Sequence, residues 1–547
     1  MWKNGAMTIR AKALVVLLLM IVGAFYVFGP GSDRASESSA DFGTVIIHRG
    51  NGGDAQTLDP ALAQDTHTFN VLTDLYEGLL ATDATGNIVN AAASSWEVSE
   101  DGLVYTFHLA GDAKWSDGSP VTAGHFVTGM QRALSPETGS AYNFLLHPIR
   151  NAEEVASGAM PVDSLGVRAI DDRTLIIELG TRAPYFPSVL TMPIAYPHFG
   201  EFDVPHERFT DPEAFVGNGP FLLDEWHPGS HIRLRRNPTF READQVAIDG
   251  VQFYAITAPV TELTMFQAEE LDITSTVPGS HLTSLRETHA AELQIAPSLA
   301  LYYLAFDLSE APFDNATLRK ALSMAIDRDA LVEVIGRGEQ PAYGLVPDGV
   351  NNYKPARFDW AALSSAERQE RARRYYEEAG YSVEQPLRLN LLYDAGDFHE
   401  TIVLAVAAMW RDVLGVETEL DKREWKYFLA TRENREDWQV MKFAWSGDYD
   451  HPGTFTDILR STSPQNLPGY SSERYDRLLR DAEAATDPQE QMRLYAVAEA
   501  EVLRDDPIVP LYFFVSKHLV APHIAGFESN VLDRHPSRYL RKTPSAQ

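Results

Sequence analysis

The stretch VMKFAWSGDYDHPGTF, Val440 to Phe455, places Asp448, Asp450 and His451 within four residues, beside Trp445 and Tyr449. Two carboxylates and an imidazole at that spacing suit three kinds of chemistry: holding a hard cation, acid–base catalysis, or pairing with a charged ligand. A calcium loop spreads oxygen ligands over about twelve residues and closes on a Glu. DYDHPGTFTDIL has no such pattern. The zinc-protease motif H-E-x-x-H is missing too, because His399-Glu400 runs on into Thr401, Ile402 and Val403. No G-x-S-x-G elbow, Walker A loop or G-x-G-x-x-G turn occurs. The metal and catalytic readings are weakened, and a charged-ligand role stays open.

The elements that would position this group belong to a long chain. Its 547 residues suggest roughly three or four domains of ~150 residues. Lys+Arg 46 against Asp+Glu 77 gives a net charge of -31, which repels phosphate backbones and argues against nucleic acid as a partner. There is no cysteine, which excludes disulfides, thiol catalysis, Cys-ligated zinc and iron–sulfur clusters. It also excludes lipid attachment through an N-terminal Cys. Lys3, Arg10 and Lys12 precede the uncharged run Ala13 to Phe28, which reads as an export signal. A small-residue cleavage site stands at Ser38-Ser39-Ala40, so cleavage and retention as a membrane anchor are both open. Gly31 to Asp41 is a polar tether, and the body beyond it is exported.

Past the tether, strand and helix patterns mix throughout. GTVIIHRG, LVYTFHL and RTLIIEL read as strands. Phe69 to Asp83 carries apolar residues at helical spacing and ends in a strand-like tail. TAGHFVTGMQRAL reads as a helix capped by Thr122. Leu318 to Gly336 reads as one long amphipathic helix closed by Gly, and Leu387 to Leu420 as a βαβ unit. The order predicts α/β lobes with a ligand cleft between them.

Several motifs together carry a resemblance. LDPALAQDTHTFNVLTDLYEGLL, WSDGSPVTAGHFVTGMQRALSPETGSAY, LGVRAIDDRTLIIEL, NGPFLLDEW, YYLAFDLSEAPFDNATLRKALSMAIDR, PLRLNLLYD, EWKYFLATR and GDYDHPGTF occur in that order. In motifs and order the chain resembles the extracytoplasmic solute-binding proteins of family 5, the peptide/nickel class. EWKYFLATR and GDYDHP are most similar to its periplasmic oligopeptide-binding members, which serve ABC importers. The resemblance implies an α/β, two-lobed periplasmic-binding-protein fold (class II, Venus-flytrap) with an extra domain inserted in the first lobe. Carried onto this chain, lobe I takes 42–76, 200–298 and 516–547, the inserted domain 77–199, and lobe II 299–515, after a leader and tether at 1–41. Crossings between lobes fall near Ala300 to Asp307 and Phe514 to Lys517.

The resemblance also implies a function: a monomeric receptor, not an enzyme, without cofactor or metal, that binds an extended peptide by its backbone. It delivers that peptide to the membrane subunits of an importer. Gln64, Asp65 and Thr66 on one side, and Ala444, Trp445 and Ser446 on the other, would flank the peptide. Asp448 matches the aspartate that pairs with the peptide's α-amine, with Gly447 before it letting the chain turn. Trp425 and Tyr142 match aromatic positions lining the cleft. His399, Arg432 and Lys442 match positions that meet peptide carboxylates. The chain departs from the family pattern at Lys442 (arginine expected), at Ala305 (a carboxylate expected) and in DYDHP (in place of DYNEP). Alternatives on the same scaffold are dipeptides, murein peptides, nickel chelates, haem or an antibiotic. An exported hydrolase is a third class.

Overall fold

The computed structural model describes residues 45–203, 207–350, 352–395, 397–434, 438–463 and 465–543, without the side chains of 207, 397, 425, 426, 429, 433 and 434. The leader and tether expected at 1–41 lie outside the described residues. Among those described, no helix is long and apolar enough to cross a membrane.

Three larger sheets organise the chain. Ile46–Gly50 lies parallel to Gly250–Tyr254, and His231–Arg236 and Phe221–His227 continue that sheet antiparallel. The C-terminal segment returns to it: Asp272 accepts from the His48 backbone N–H at 2.8 Å and from Lys542 Nζ at 3.0 Å, and lies 2.6 Å from His523 Nε2. Three distant segments are tied by one carboxylate, so this lobe is assembled from pieces far apart in sequence.

A second, antiparallel sheet runs in the order Ala93–Val98, Val104–Leu109, Thr174–Glu178, Val167–Asp171. The helix Ala123–Leu134 packs on it, starting where the sequence places its cap: the Thr122 N–H donates to His125 Nδ1 at 3.0 Å. Phe126, Met130 and Ala133 recur at helical spacing and are buried. Their cluster is continuous with that of the first sheet, so the inserted stretch shares a core with lobe I.

The third sheet has six strands, ordered Gln340–Pro341, Ile508–Leu519, Leu293–Phe306, Val440–Ser446, Arg388–Asp394, Glu417–Arg423. The expected βαβ unit is present: Arg388–Asp394 and Glu417–Arg423 pair in parallel across the helix Asp397–Leu414. Leu293–Phe306 is a central strand buried on both faces. Tyr302, Leu304 and Phe306 enter one cluster and Leu301, Tyr303 and Ala305 the other, the two-residue alternation of a strand. Ala305 is fully buried, so no ligand meets it here.

The long helix expected at Leu318 to Gly336 is two helices, Ala316–Met324 and Arg328–Ile335. Asp327 breaks it by turning its side chain onto the Ala330 N–H as a new N-cap. Arg328 holds the break: its guanidinium is buried and donates to the carbonyls of Ser323 and Pro510 at 2.9 and 2.8 Å. Gly336 closes the second helix at φ 65°, as its position suggests.

Leu293–Phe306 and Ile508–Leu519 are long strands paired antiparallel. Their register breaks between Pro297 and Leu301. This interruption lies beside Ala300, where the resemblance places the start of the first crossing.

Candidate functional site

Val440–Ser446 carries the site. On one side it pairs along its whole length with Leu293–Phe306, from Phe306↔Val440 to Ala300↔Ser446. On the other it meets Arg388–Asp394 only at Leu391↔Val440 and Leu392↔Met441. From Lys442 to Ser446 that second edge has no partner strand among the described residues. The Gly447 N–H donates to the Leu299 carbonyl at 2.7 Å, which makes Ala300↔Ser446 a non-hydrogen-bonded pair. By the alternation of an antiparallel ladder, the backbone groups of Trp445 face the neighbouring strand, while those of Ala444 and Ser446 face the open edge. The side chains of Ala444 and Ser446 are exposed. Trp445 packs half-buried on the lobe II core.

The chain then turns at Gly447. Its backbone does not need positive φ; the reason for glycine is crowding, since a Cβ there would lie 2.8 Å from Thr454 Cγ2. Asp448 follows and lines a cavity of about 300 Å³. Thr66 and Asn70 from lobe I, Tyr142 from the inserted stretch, Leu299 from the crossing and Arg534 from the C-terminal segment share that lining. Burial pushes the Asp448 carboxyl up, and the charge of Arg534 partly offsets this. Tyr142 packs edge-on against Phe69, with centroids 5.8 Å apart.

His451 differs from Asp448 in its surroundings. The His451 ring is buried, meets Tyr495 edge-on at 4.9 Å, and accepts from the Gly453 N–H through Nδ1 at 3.0 Å. Burial lowers its pKa to about 4, so it is neutral at physiological pH. It shapes the turn before Gly453–Thr456. Tyr449 stacks on Tyr185 of the inserted stretch, with centroids 4.2 Å apart and planes 9° from parallel. The four-residue group thus splits into a cleft carboxylate, an aromatic bridge and a packed histidine.

Residues 64–66 do not form a strand. Asp65 caps the helix Thr66–Leu75, accepting from the Thr68 N–H at 2.9 Å and the Thr68 hydroxyl at 2.8 Å. Gln64 and Thr66 are exposed, and Thr66 lines the cavity. At the other end of the open edge, Lys442 is buried, its Nζ 2.5 Å from Asp394 Oδ1. His399 Nε2 lies 3.5 Å from Asp394 Oδ2, and its Nδ1 lies 3.2 Å from the Tyr302 hydroxyl. Arg432 sits 5.2 Å above the Phe443 ring. Trp425 opens the helix Trp425–Asn434, and its side chain lies outside the described residues.

Two participants have no signal in the sequence. Asp394 closes a predicted strand, and nothing nearby marks it as a partner of Lys442. Arg534 sits in a short C-terminal loop remote from every motif. Among the described residues, two sets of three His and acidic side chains bring their ligand atoms together, neither at Asp448. In one, His518 and His535 both turn Nε2 onto Asp533 Oδ1, at 2.8 and 3.0 Å. In the other, Glu225, His227 and His231 meet on the surface hairpin of Phe221–His227 and His231–Arg236.

A cleft between two α/β lobes, crossed by paired strands and lined by an open strand edge, defines a two-lobed binding protein. Residues 87–466 match the family model of bacterial extracellular solute-binding proteins, family 5 Middle. The chain belongs to that family. It is 34% identical over 490 residues to the periplasmic oligopeptide-binding protein OppA of Escherichia coli strain K12, covering 88% of this chain and 89% of the relative. Among solved structures, MppA, a periplasmic murein tripeptide-binding protein, superposes in its unliganded open form with a TM-score of 0.85 at 31% identity. The match covers 91% of this chain and 97% of that one. Haemophilus influenzae OppA in complex with the peptide RPPGFSPFR gives 0.69 at 30% identity, covering 91% and 99%.

Proposed function

We propose that this chain is an extracytoplasmic receptor that captures oligopeptides in its interlobe cleft and hands them to the membrane subunits of an ABC importer. The observation that carries the reading is the open edge of Val440–Ser446, which leads directly to a half-buried carboxylate. An extended peptide adds to such an edge through backbone groups that every sequence possesses. Asp448 then pairs with its α-ammonium, which on entering the cavity loses hydration that only an opposite charge restores. Tyr142 and Thr66 wall the amine end, and His399 and Arg432 lie toward the other end. The relatives named above are binding proteins, which supports a role without turnover.

Domain limits at 76, 199, 298 and 515 fit this reading, with closure about the register break near Pro297–Leu301. Peptide bound between the lobes favours the closed form, which the importer reads.

Native mass spectrometry of the purified protein tests the proposal. The expected result is a co-purified set of peptides of mixed sequence, together with a peptide-dependent rise in melting temperature. A metal chelate or other non-peptide ligand in their place, or sustained cleavage of added peptide, overturns it.

A further inference from the structure

The cavity at Asp448 contains a second charge that amine recognition does not use. Arg534 lines the same space. Its guanidinium makes no hydrogen bond or ion pair among the described residues. The neighbouring acid does not serve it: Asp533 turns its carboxylate to His518 and His535. Asp448 has no side-chain hydrogen bond among the described residues either, and the two groups are not within ion-pair distance of each other. One pocket of about 300 Å³ therefore presents an unpaired anion on one lobe and an unpaired cation on the C-terminal segment. The Tyr142 hydroxyl is close enough to feel both charges.

We propose that this pocket selects ligands that carry a carboxylate within about one residue of the α-amine, the amine on Asp448 and the carboxylate on Arg534. This rests on the receptor reading above and narrows it. A guanidinium offers a fork of donors that matches a carboxylate in two parallel bonds, so it rewards an anion far more than an amide of the same shape. The net charge of -31 does not oppose this inside the cleft, because surface charges act only over a screening length of about 8 Å. Two ligand types supply the chemistry: a peptide with Asp or Glu at its first position, and a dipeptide whose C-terminus reaches Arg534.

Calorimetry on the full-length exported protein, stripped of ligand, distinguishes them. Glu-Ala-Ala against Gln-Ala-Ala reads the side-chain source; Ala-Ala against its C-terminal amide reads the short-peptide source. The expected result is a preference of roughly ten- to a hundredfold for the charged member of one pair. That preference disappears in Arg534→Met and persists in part in Arg534→Lys. Binding of all the peptides without discrimination within either pair overturns this inference and leaves the receptor reading standing. Binding of none of them overturns both. The wild-type comparison needs no variant, so a misfolded Arg534→Met does not spare the proposal.

Discussion

Lys442 Nζ lies 2.5 Å from Asp394 Oδ1, and both side chains are buried. By family resemblance Lys442 is expected to meet a peptide carboxylate; in this structure its charge is already matched by a residue of the adjacent strand. His399 leans on the same carboxylate, and burial followed by the charge of Lys442 lowers its pKa. The Lys442 charge is therefore matched by Asp394 before any ligand arrives.

That balance has a measurable consequence. Asp394→Asn leaves the Lys442 ammonium buried without a counter-charge and is expected to cost about 3 kcal/mol of stability. The double replacement Lys442→Met with Asp394→Leu removes both charges and is expected to stay within about 1 kcal/mol of wild type, or above it. Chemical denaturation of the three proteins checks this. A single variant as stable as wild type would show that the pair is not buried in solution.

Asp448→Asn removes the charge but keeps the shape. Binding of a free-amine peptide should weaken by about 2 kcal/mol or more, roughly thirtyfold. An N-acetylated peptide, which has no ammonium, should be affected little. Calorimetry with the matched pair separates the roles, because a purely structural aspartate would weaken both ligands alike.

Ala444→Pro deletes an N–H that faces the open edge and spares the ladder to Leu293–Phe306. Affinity should fall by about 1 kcal/mol or more for peptides of any sequence, with a small change in melting temperature. Trp445→Pro deletes an N–H turned to the neighbouring strand and is expected to destabilise the lobe instead. Reversal of the two outcomes would place the open edge on the wrong face.

His451 adds a pH dependence. Its pKa is near 4 folded, against 6.5 for an exposed histidine. Between those values the unfolded chain binds a proton that the folded chain does not, so stability falls as pH drops from 6.5 to 4. The contribution is about 3 kcal/mol. His451→Gln should flatten the stability–pH curve in that window. A variant curve parallel to wild type would show that the ring is protonated without penalty.

Much of the scaffold was legible because it is local. Alternating apolar residues mark Val104–Leu109, and Thr122 marks the start of a helix. The break at Asp327 was hidden. Leu318 to Gly336 keeps helical periodicity across it, and the break depends on Arg328 reaching Pro510, which no local pattern reports.

The sequence by itself indicated most of the elements, the acidic composition and the charged group from Asp448 to His451. Those follow from side-chain periodicity and from motifs that are contiguous. Only the tertiary structure decided which edge of that strand stays open, that Lys442 is matched by Asp394, and that Arg534 faces Asp448. Each of these depends on where a remote segment is placed. Charges pair or remain unpaired according to distance in space, and the chain brings these groups together only after it crosses between the lobes and returns.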